Sequence, residues 1–225
     1  MRAAAILLAA GRGRRLGGDR PKALLEVGGA TMLHRAVRTI DDVRGLEGFL
    51  VAAPEGHEEE MKATAAGAPR FLALVTGGGS RQESVRRSLE ALPAAFDAVV
   101  VHDVARPFAS PSLFEAVLGA LGRAEGAVPV LPVADTVKRV TEDLVVETVS
   151  REGLALAQTP QAFLREALER VHRVAGDDGV VATDDAALFE RLGLRVAAVP
   201  GDPDNIKVTT PEDLERAELL ARGRP

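Results

Sequence analysis

Ala3-Ala4-Ala5-Ile6-Leu7-Leu8-Ala9-Ala10 runs without a charge into Gly11-Arg12-Gly13-Arg14-Arg15-Leu16, and Pro21-Lys22 follows. An apolar run of this length that ends in glycine reads as a buried strand, and it is far too short to span a bilayer. The turn behind it gathers small residues and four cations, Arg12, Arg14, Arg15 and Lys22. Phosphate binding suits that mixture. Glycine lets backbone N–H groups approach phosphate oxygens closely, and Arg and Lys offset charge that the N–H dipoles alone do not. The turn is not a Walker loop, because a Gly-Lys-Ser/Thr ending is missing, and it does not fit the dinucleotide GxGxxG pattern. An ordinary strand–helix turn carrying solvated arginines is the competing explanation. Two glycines, consecutive arginines and Pro-Lys at this spacing favour the phosphate site.

Outward from that strand, short apolar runs at Ala3–Ala9, Phe49–Ala53, Phe71–Val75, Ala98–Val101, Ala127–Leu131 and Val196–Val199 read as further buried strands. Helical patterns fall between most of them, at Met32–Ile40, Glu58–Ala66, Gln82–Leu92, Ser112–Leu121, Phe163–Val174, Asp185–Leu192 and Glu212–Ala221. Ser110-Pro111 and Thr210-Pro211 are the clearest helix starts. The alternation predicts an α/β fold with a mostly parallel sheet covered by helices on both faces. One stretch breaks the rhythm: Asp135–Ser150 is rich in Val and Thr and reads as a protruding β-hairpin arm, with Glu142-Asp143 at its turn. There is no internal repeat and no long linker, so residues 1–225 are expected to form one domain.

Composition narrows the function. A formal net charge of -5 argues against a sequence-independent nucleic-acid binder. Cysteine is absent, which excludes disulfides, thiolate nucleophiles and Cys-ligated metal centres. Nothing near the N-terminus has a signal-peptide pattern, so a cytoplasmic protein without membrane partners is the default expectation.

In an open α/β sheet, ligands bind outside the carboxyl ends of the strands, and the remaining motifs mostly follow strands. His102-Asp103-Val104-Ala105-Arg106-Pro107 delivers an acid and an arginine to that edge, where an aspartate can hold a divalent metal against phosphate oxygens. A capping Asp paired with a nearby Arg explains this motif equally well on its own. Thr76-Gly77-Gly78-Gly79-Ser80-Arg81-Gln82-Glu83-Ser84, Asp135-Thr136-Val137-Lys138-Arg139, Thr148-Val149-Ser150-Arg151, Gln158-Thr159-Pro160-Gln161, Thr183-Asp184-Asp185 and Asp204-Asn205-Ile206-Lys207-Val208-Thr209 complete the set.

The Ala-Ala-Gly-x-Gly-x-Arg loop and Pro-Lys resemble the sugar-activating nucleotidyltransferases. The later motifs, in this order, resemble the 2-C-methyl-D-erythritol 4-phosphate cytidylyltransferase family over nearly the whole chain, from Ala9 to Leu214. The resemblance implies a three-layer Rossmann-like fold and transfer of CMP from CTP to the sugar-alcohol phosphate, with loss of pyrophosphate, in isoprenoid precursor synthesis. By similarity, Ala9, Ala10, Gly11, Gly13 and Lys22 surround the triphosphate, and Gly78 and Ser84 meet cytosine or ribose. Arg15 and Lys22 stabilise charge on the reacting phosphates. Arg106, Thr159, Thr183 and Lys207 bind the acceptor. Asp103, with Asp204 as a second candidate, holds magnesium. A homodimer is also implied, in which the Asp135–Ser150 arm reaches over the partner so that Thr136 and Arg151 complete the other subunit's site. Against the family pattern, Val104 stands where Ala is frequent, Gly79 where an acid is frequent and Asp185 where Glu is usual; Arg12 sits at a variable position. Two alternatives stay open: a cytidylyltransferase for another polyol phosphate such as ribitol 5-phosphate, and a non-catalytic CTP-binding module.

Overall fold

The structure is a computed structural model that describes residues 1–11 and 20–223. The chain runs β1 (Ala3–Leu8), a 3-10 turn (Lys22–Leu24), β2 (Glu26–Val27), β3 (Ala30–Thr31), α1 (Met32–Asp42), β4 (Leu46–Ala53), α2 (Glu58–Ala65), β5 (Phe71–Thr76), α3 (Arg81–Ala91), β6 (Ala98–Asp103), α4 (Pro111–Ala120) and β7 (Gly126–Pro132). It continues with β8 (Val137–Thr141), β9 (Leu144–Val149), β10 (Ala155–Ala157), β11 (Gln161–Leu164), α5 (Arg165–Asp177), α6 (Asp185–Arg191), β12 (Val196–Pro200) and α7 (Pro211–Arg222).

The central strand β1 shows why the sheet is covered twice. Successive side chains of a strand point to opposite faces. Ala3, Ala5 and Leu7 pack into one core with residues of α1, α2, α4 and α7, while Ala4 and Ile6 pack into a second core with residues of α3, α5 and α6. Both sets are apolar, as a strand buried on both faces requires. Each fully buried Leu, Ile or Phe contributes roughly 1.5–3 kcal/mol, so the two cores are the main source of stability.

Strands β4 and β6 flank β1 in parallel, and β5 extends the sheet in parallel beyond β4. On the other side the sheet changes direction. Strand β11 lies antiparallel to both β6 and β7, β10 is antiparallel to β7, and β12 is parallel to β7. The expected mostly parallel sheet is present, but β10 and β11 were not anticipated. Phe163, expected at the start of a helix, is instead a strand residue, fully buried against Phe189 with ring centroids 4.6 Å apart. An apolar triplet of this length does not reveal its period, and burial between two strands decided its conformation. The small hairpin β2–β3 also went unread.

Helix starts follow their caps. Thr31, Ser80 and Asp184 accept backbone N–H groups three residues on, and Thr210 forms a reciprocal capping box with Asp213 ahead of α7. The arm is a separate two-stranded sheet in which Thr141 pairs with Leu144 across the turn. Glu142 and Asp143 both take the left-handed conformation, with φ of 48° and 65°, as a tight two-residue hairpin turn needs. Among the described residues, no helix is long and apolar enough to cross a membrane.

Candidate active site

The carboxyl ends of β1, β5 and β6 open onto a cleft of about 660 Å³ lined by Ala9, Ala10, Gly11, Lys22, Gly78, Ser84, Asp103 and Lys207, among others. A second cavity of about 200 Å³ adjoins it, lined by Arg106, Gln158, Thr159, Gln161, Thr183 and Asp184. Arg81, Asp103 and Lys207 line both. Two pockets that share an anion and two cations are suited to bringing two phosphate-bearing molecules together.

The first cleft is walled by backbone. Gly77 N–H donates to Ala53 O at 2.7 Å, and a side chain there would meet Ala10 Cβ at 2.5 Å, so glycine is required where the β1 and β5 loops approach. The Ser84 hydroxyl accepts from Gly78 N–H at 3.0 Å and donates to Ser80 O at 2.9 Å. Glu83 accepts from Gly79 N–H at 2.8 Å and pairs with Arg87, whose guanidinium also donates to Gly77 O at 3.0 Å. The glycine run is therefore braced by the first turns of α3. Sequence reasoning named Gly78 and Ser84 but missed Glu83 and Arg87, whose i, i+4 spacing was the available signal.

Asp103 ends β6 at the junction of the clefts. Its backbone N–H donates to Thr159 Oγ1 at 3.0 Å, and that hydroxyl shares a hydrogen bond of 3.2 Å with His102 Nδ1. Its carboxylate accepts from Lys207 Nζ at 2.6 Å and from Arg81 Nε at 3.2 Å. Burial by itself would raise this carboxyl, but Arg81 and Lys207 outweigh it and hold the group well below the usual carboxylate range. Burial also pushes His102 down to about 4, so the imidazole is neutral at physiological pH. Arg81 continues inward to Asp185 at 2.6 Å, and Asp185 accepts from His172 at 2.8 Å. The negative charges of Asp185 and Asp103 more than offset burial and keep Arg81 firmly protonated.

The loop carrying Lys207 is tied down by amides. Gln158 Oε1 accepts from Asp202 N–H at 3.0 Å and from Asn205 Nδ2 at 3.4 Å, while its Nε2 donates to Asp202 O at 2.9 Å. Asn205 Nδ2 donates to Thr159 O at 2.9 Å, and Arg106 Nη1 donates to Asn205 O at 2.7 Å. Burial lowers the Arg106 pKa, with Asp103 opposing the shift.

Most of the residues singled out by sequence thus converge. Gly13 and Arg15 lie outside the described residues. Thr136 and Arg151 line neither cleft: both are exposed at the base of the arm, where Arg151 donates to Ala134 O. Among the described residues, Asp204 is not one of those that line either cleft. Its backbone N–H instead closes a tight turn onto the Asp202 carboxylate at 2.8 Å. Among the described residues, no group of three or more His, Asp or Glu is arranged to hold a metal. Asp103 offers a single ionised carboxylate at the cleft wall. That fits magnesium, which takes one or two carboxylates alongside phosphate oxygens and water, better than an all-protein cage.

The fold recurs in known proteins. A solved structure of 2-C-methyl-D-erythritol 4-phosphate cytidylyltransferase from Thermus thermophilus superposes with a TM-score of 0.81 at 40% identity, covering 96% of this chain and 98% of that one. A protein of that name from Saccharopolyspora erythraea is 45% identical over 225 residues, covering 98% of this chain and 99% of the relative. The bifunctional enzyme IspD/IspF of Granulibacter bethesdensis is 46% identical over 220 residues; the match covers 97% of this chain and 56% of that longer protein. The family model for 2-C-methyl-D-erythritol 4-phosphate cytidylyltransferase matches residues 3–222, and this chain belongs to that family.

Proposed function

We propose that this chain transfers CMP from CTP to 2-C-methyl-D-erythritol 4-phosphate, giving 4-diphosphocytidyl-2-C-methyl-D-erythritol and pyrophosphate for isoprenoid precursor synthesis. The observation that carries this reading is the pair of adjoining cavities sharing Arg81, Asp103 and Lys207, in a chain of this family. The larger cavity takes CTP: the backbone of Ala9, Ala10 and Gly11 faces its phosphates, a role the family resemblance gives to Gly13 too, and Gly78 and Ser84 sit by cytosine and ribose. The smaller cavity takes the acceptor between Arg106, Thr159 and Thr183.

An oxygen of the acceptor phosphate attacks the α-phosphorus, a P–O bond forms, and the bond to the departing pyrophosphate breaks. No covalent enzyme intermediate is needed. Both reactants are anions, so cations carry most of the catalysis. Arg15 and Lys22 neutralise the α-phosphate and the leaving group. Lys207 leads the incoming phosphate into line, aided by Arg106 and by the partner's Arg151 and Thr136. Asp103 is the residue that holds a magnesium ion, whose charge offsets that on the CTP phosphates when bound. The arm supports a homodimer: Val140, Leu144, Val145 and Val146 are more than half exposed, an apolar surface that a second copy of the chain covers.

The test measures magnesium-dependent pyrophosphate release from CTP with methylerythritol 4-phosphate, ribitol 5-phosphate or no acceptor, with Lys22→Ala as control. Release with the first acceptor alone, abolished in the variant, is the expected result. Release with ribitol 5-phosphate alone makes the chain a sibling enzyme. CTP binding seen as a thermal shift, without any release, makes it a binding module.

A further inference from the structure

Two carboxylates share one guanidinium beneath the junction of the clefts. Arg81 gives Nε to Asp103 Oδ1 at 3.2 Å and Nη1 to Asp185 Oδ2 at 2.6 Å. Its third nitrogen, Nη2, is buried and has no hydrogen-bond partner among the described residues. Nε and Nη2 are the pair with which arginine grips a carboxylate side-on through two parallel bonds. The fork on Asp103 is therefore half closed, and the shorter contact goes to Asp185.

Asp185 touches neither cavity. It opens α6, is 1% exposed, and is steadied by His172 Nε2 at 2.8 Å from α5. A buried carboxylate away from any ligand is costly to keep unless its charge is used. Without that charge, Arg81 would relax into a two-bond fork on Asp103. Each Asp103 oxygen already accepts one bond, Oδ1 from Arg81 and Oδ2 from Lys207, so the fork would add Nη2 to the oxygen that Lys207 holds and leave the carboxylate fewer lone pairs for a metal.

We propose that Asp185 is a positioning residue that holds Arg81 to a single bond on Asp103 and so leaves lone pairs of the Asp103 carboxylate for a divalent cation. The inference rests on the reading above that Asp103 is the metal-holding carboxylate. His172 acts one step further back, fixing Asp185 where it competes for the guanidinium.

The test compares the wild-type protein with Asp185→Asn and Asp185→Ser, which remove the charge, and Asp185→Glu, which keeps it. Manganese is titrated against the enzyme–CTP complex by electron paramagnetic resonance, and separately in the pyrophosphate-release assay. Both neutral variants are expected to bind manganese about tenfold more weakly, the effect of one hydrogen bond to a charged group. The half-activating metal concentration rises by the same factor, and turnover at saturating metal falls far less. Asp185→Glu stays near wild type. Unchanged manganese binding in a folded neutral variant overturns the proposal. So does an equal loss in Asp185→Glu, which marks Asp185 as a packing residue. A wild-type protein that binds manganese with CTP but turns over no acceptor defeats the functional reading alone, and the binding titration still decides the role of Asp185.

Discussion

Lys207 Nζ lies 2.6 Å from Asp103 Oδ2, joining the end of β6 to a loop 104 residues further along the chain. The lysine side chain is 44% exposed, so solvent screens the pair and its contribution to stability is small. Arg81 gives Asp103 a second cationic partner besides Lys207. The lysine is thus free to exchange its carboxylate for an incoming phosphate at little cost to the fold. Lys207→Ala is expected to leave the melting temperature within about 3 °C of wild type, equivalent to about 1 kcal/mol. It is expected to lower kcat/KM for the acceptor by about 10²–10³-fold, the range for removing one stabilising contact at a reacting group. Steady-state kinetics and a thermal melt check both.

His102 gives stability an acid-side dependence. Its folded pKa of about 4 lies below the ordinary histidine value, so the unfolded chain takes up the proton first as pH falls. The folded state therefore keeps its full stability above about pH 6.5 and loses it progressively down to about pH 4, by about 3 kcal/mol in all. The depressed carboxyls Asp103 and Asp185 act below that window: their contribution is present above the unfolded Asp pKa and is lost only as pH drops towards their folded values. Urea unfolding at half-unit pH steps should show the slope between pH 6.5 and 4, and His102→Asn should flatten that segment.

Gln158 is the hinge pin of the Lys207 loop. Gln158→Ala removes the acceptor for Asp202 N–H and the bridge to Asn205, and is expected to cost about 1–3 kcal/mol. Because the loosened loop carries Lys207, KM for the acceptor should rise while KM for CTP changes little. An equal rise in both constants would count against this division of the site.

Much of this arrangement was legible in advance, for reasons that particular residues make plain. Strands such as Ala98–Asp103 are apolar and short, and the motifs hang from their ends, so their place at one sheet edge followed from the fold class alone. The turn at Glu142-Asp143 was legible because the Val- and Thr-rich strands on either side frame it. Arg81, Gln158 and Asp185 stand inside quoted motifs, yet nothing in the sequence assigned them a role. Their importance lies in contacts 22, 104, 44 and 47 residues distant, which no local pattern encodes.

Gly77 tests the backbone wall of the larger cavity. Gly77→Val forces a branched side chain against Ala10, Ser84 and Ala53 O, and overpacking of this kind costs about 1–3 kcal/mol. CTP binding should weaken more than acceptor binding, which calorimetric titration of each ligand separates.

The arm offers a test of assembly. Val145→Asp places a charge on the exposed apolar pair that Val145 forms with Val140 across the arm. Light scattering is expected to find wild type as a dimer and the variant as a monomer with the same melting behaviour in its main sheet. If the Arg151 role across subunits holds, the monomer also loses use of the acceptor while still binding CTP.

Strand β11 runs against its neighbours, and Gln161 pairs with Val101 two residues before Asp103. Because of that reversal, the residues peculiar to the smaller cavity, apart from Arg106, come from one continuous stretch, Ala157 to Asp184, whereas the larger cavity draws on segments scattered from Leu8 to Lys207. Changes confined to that stretch would therefore reshape most of the wall peculiar to the smaller cavity while leaving the walls of the larger one in place. One wall is gathered from across the chain and the other is spun mostly from a single thread.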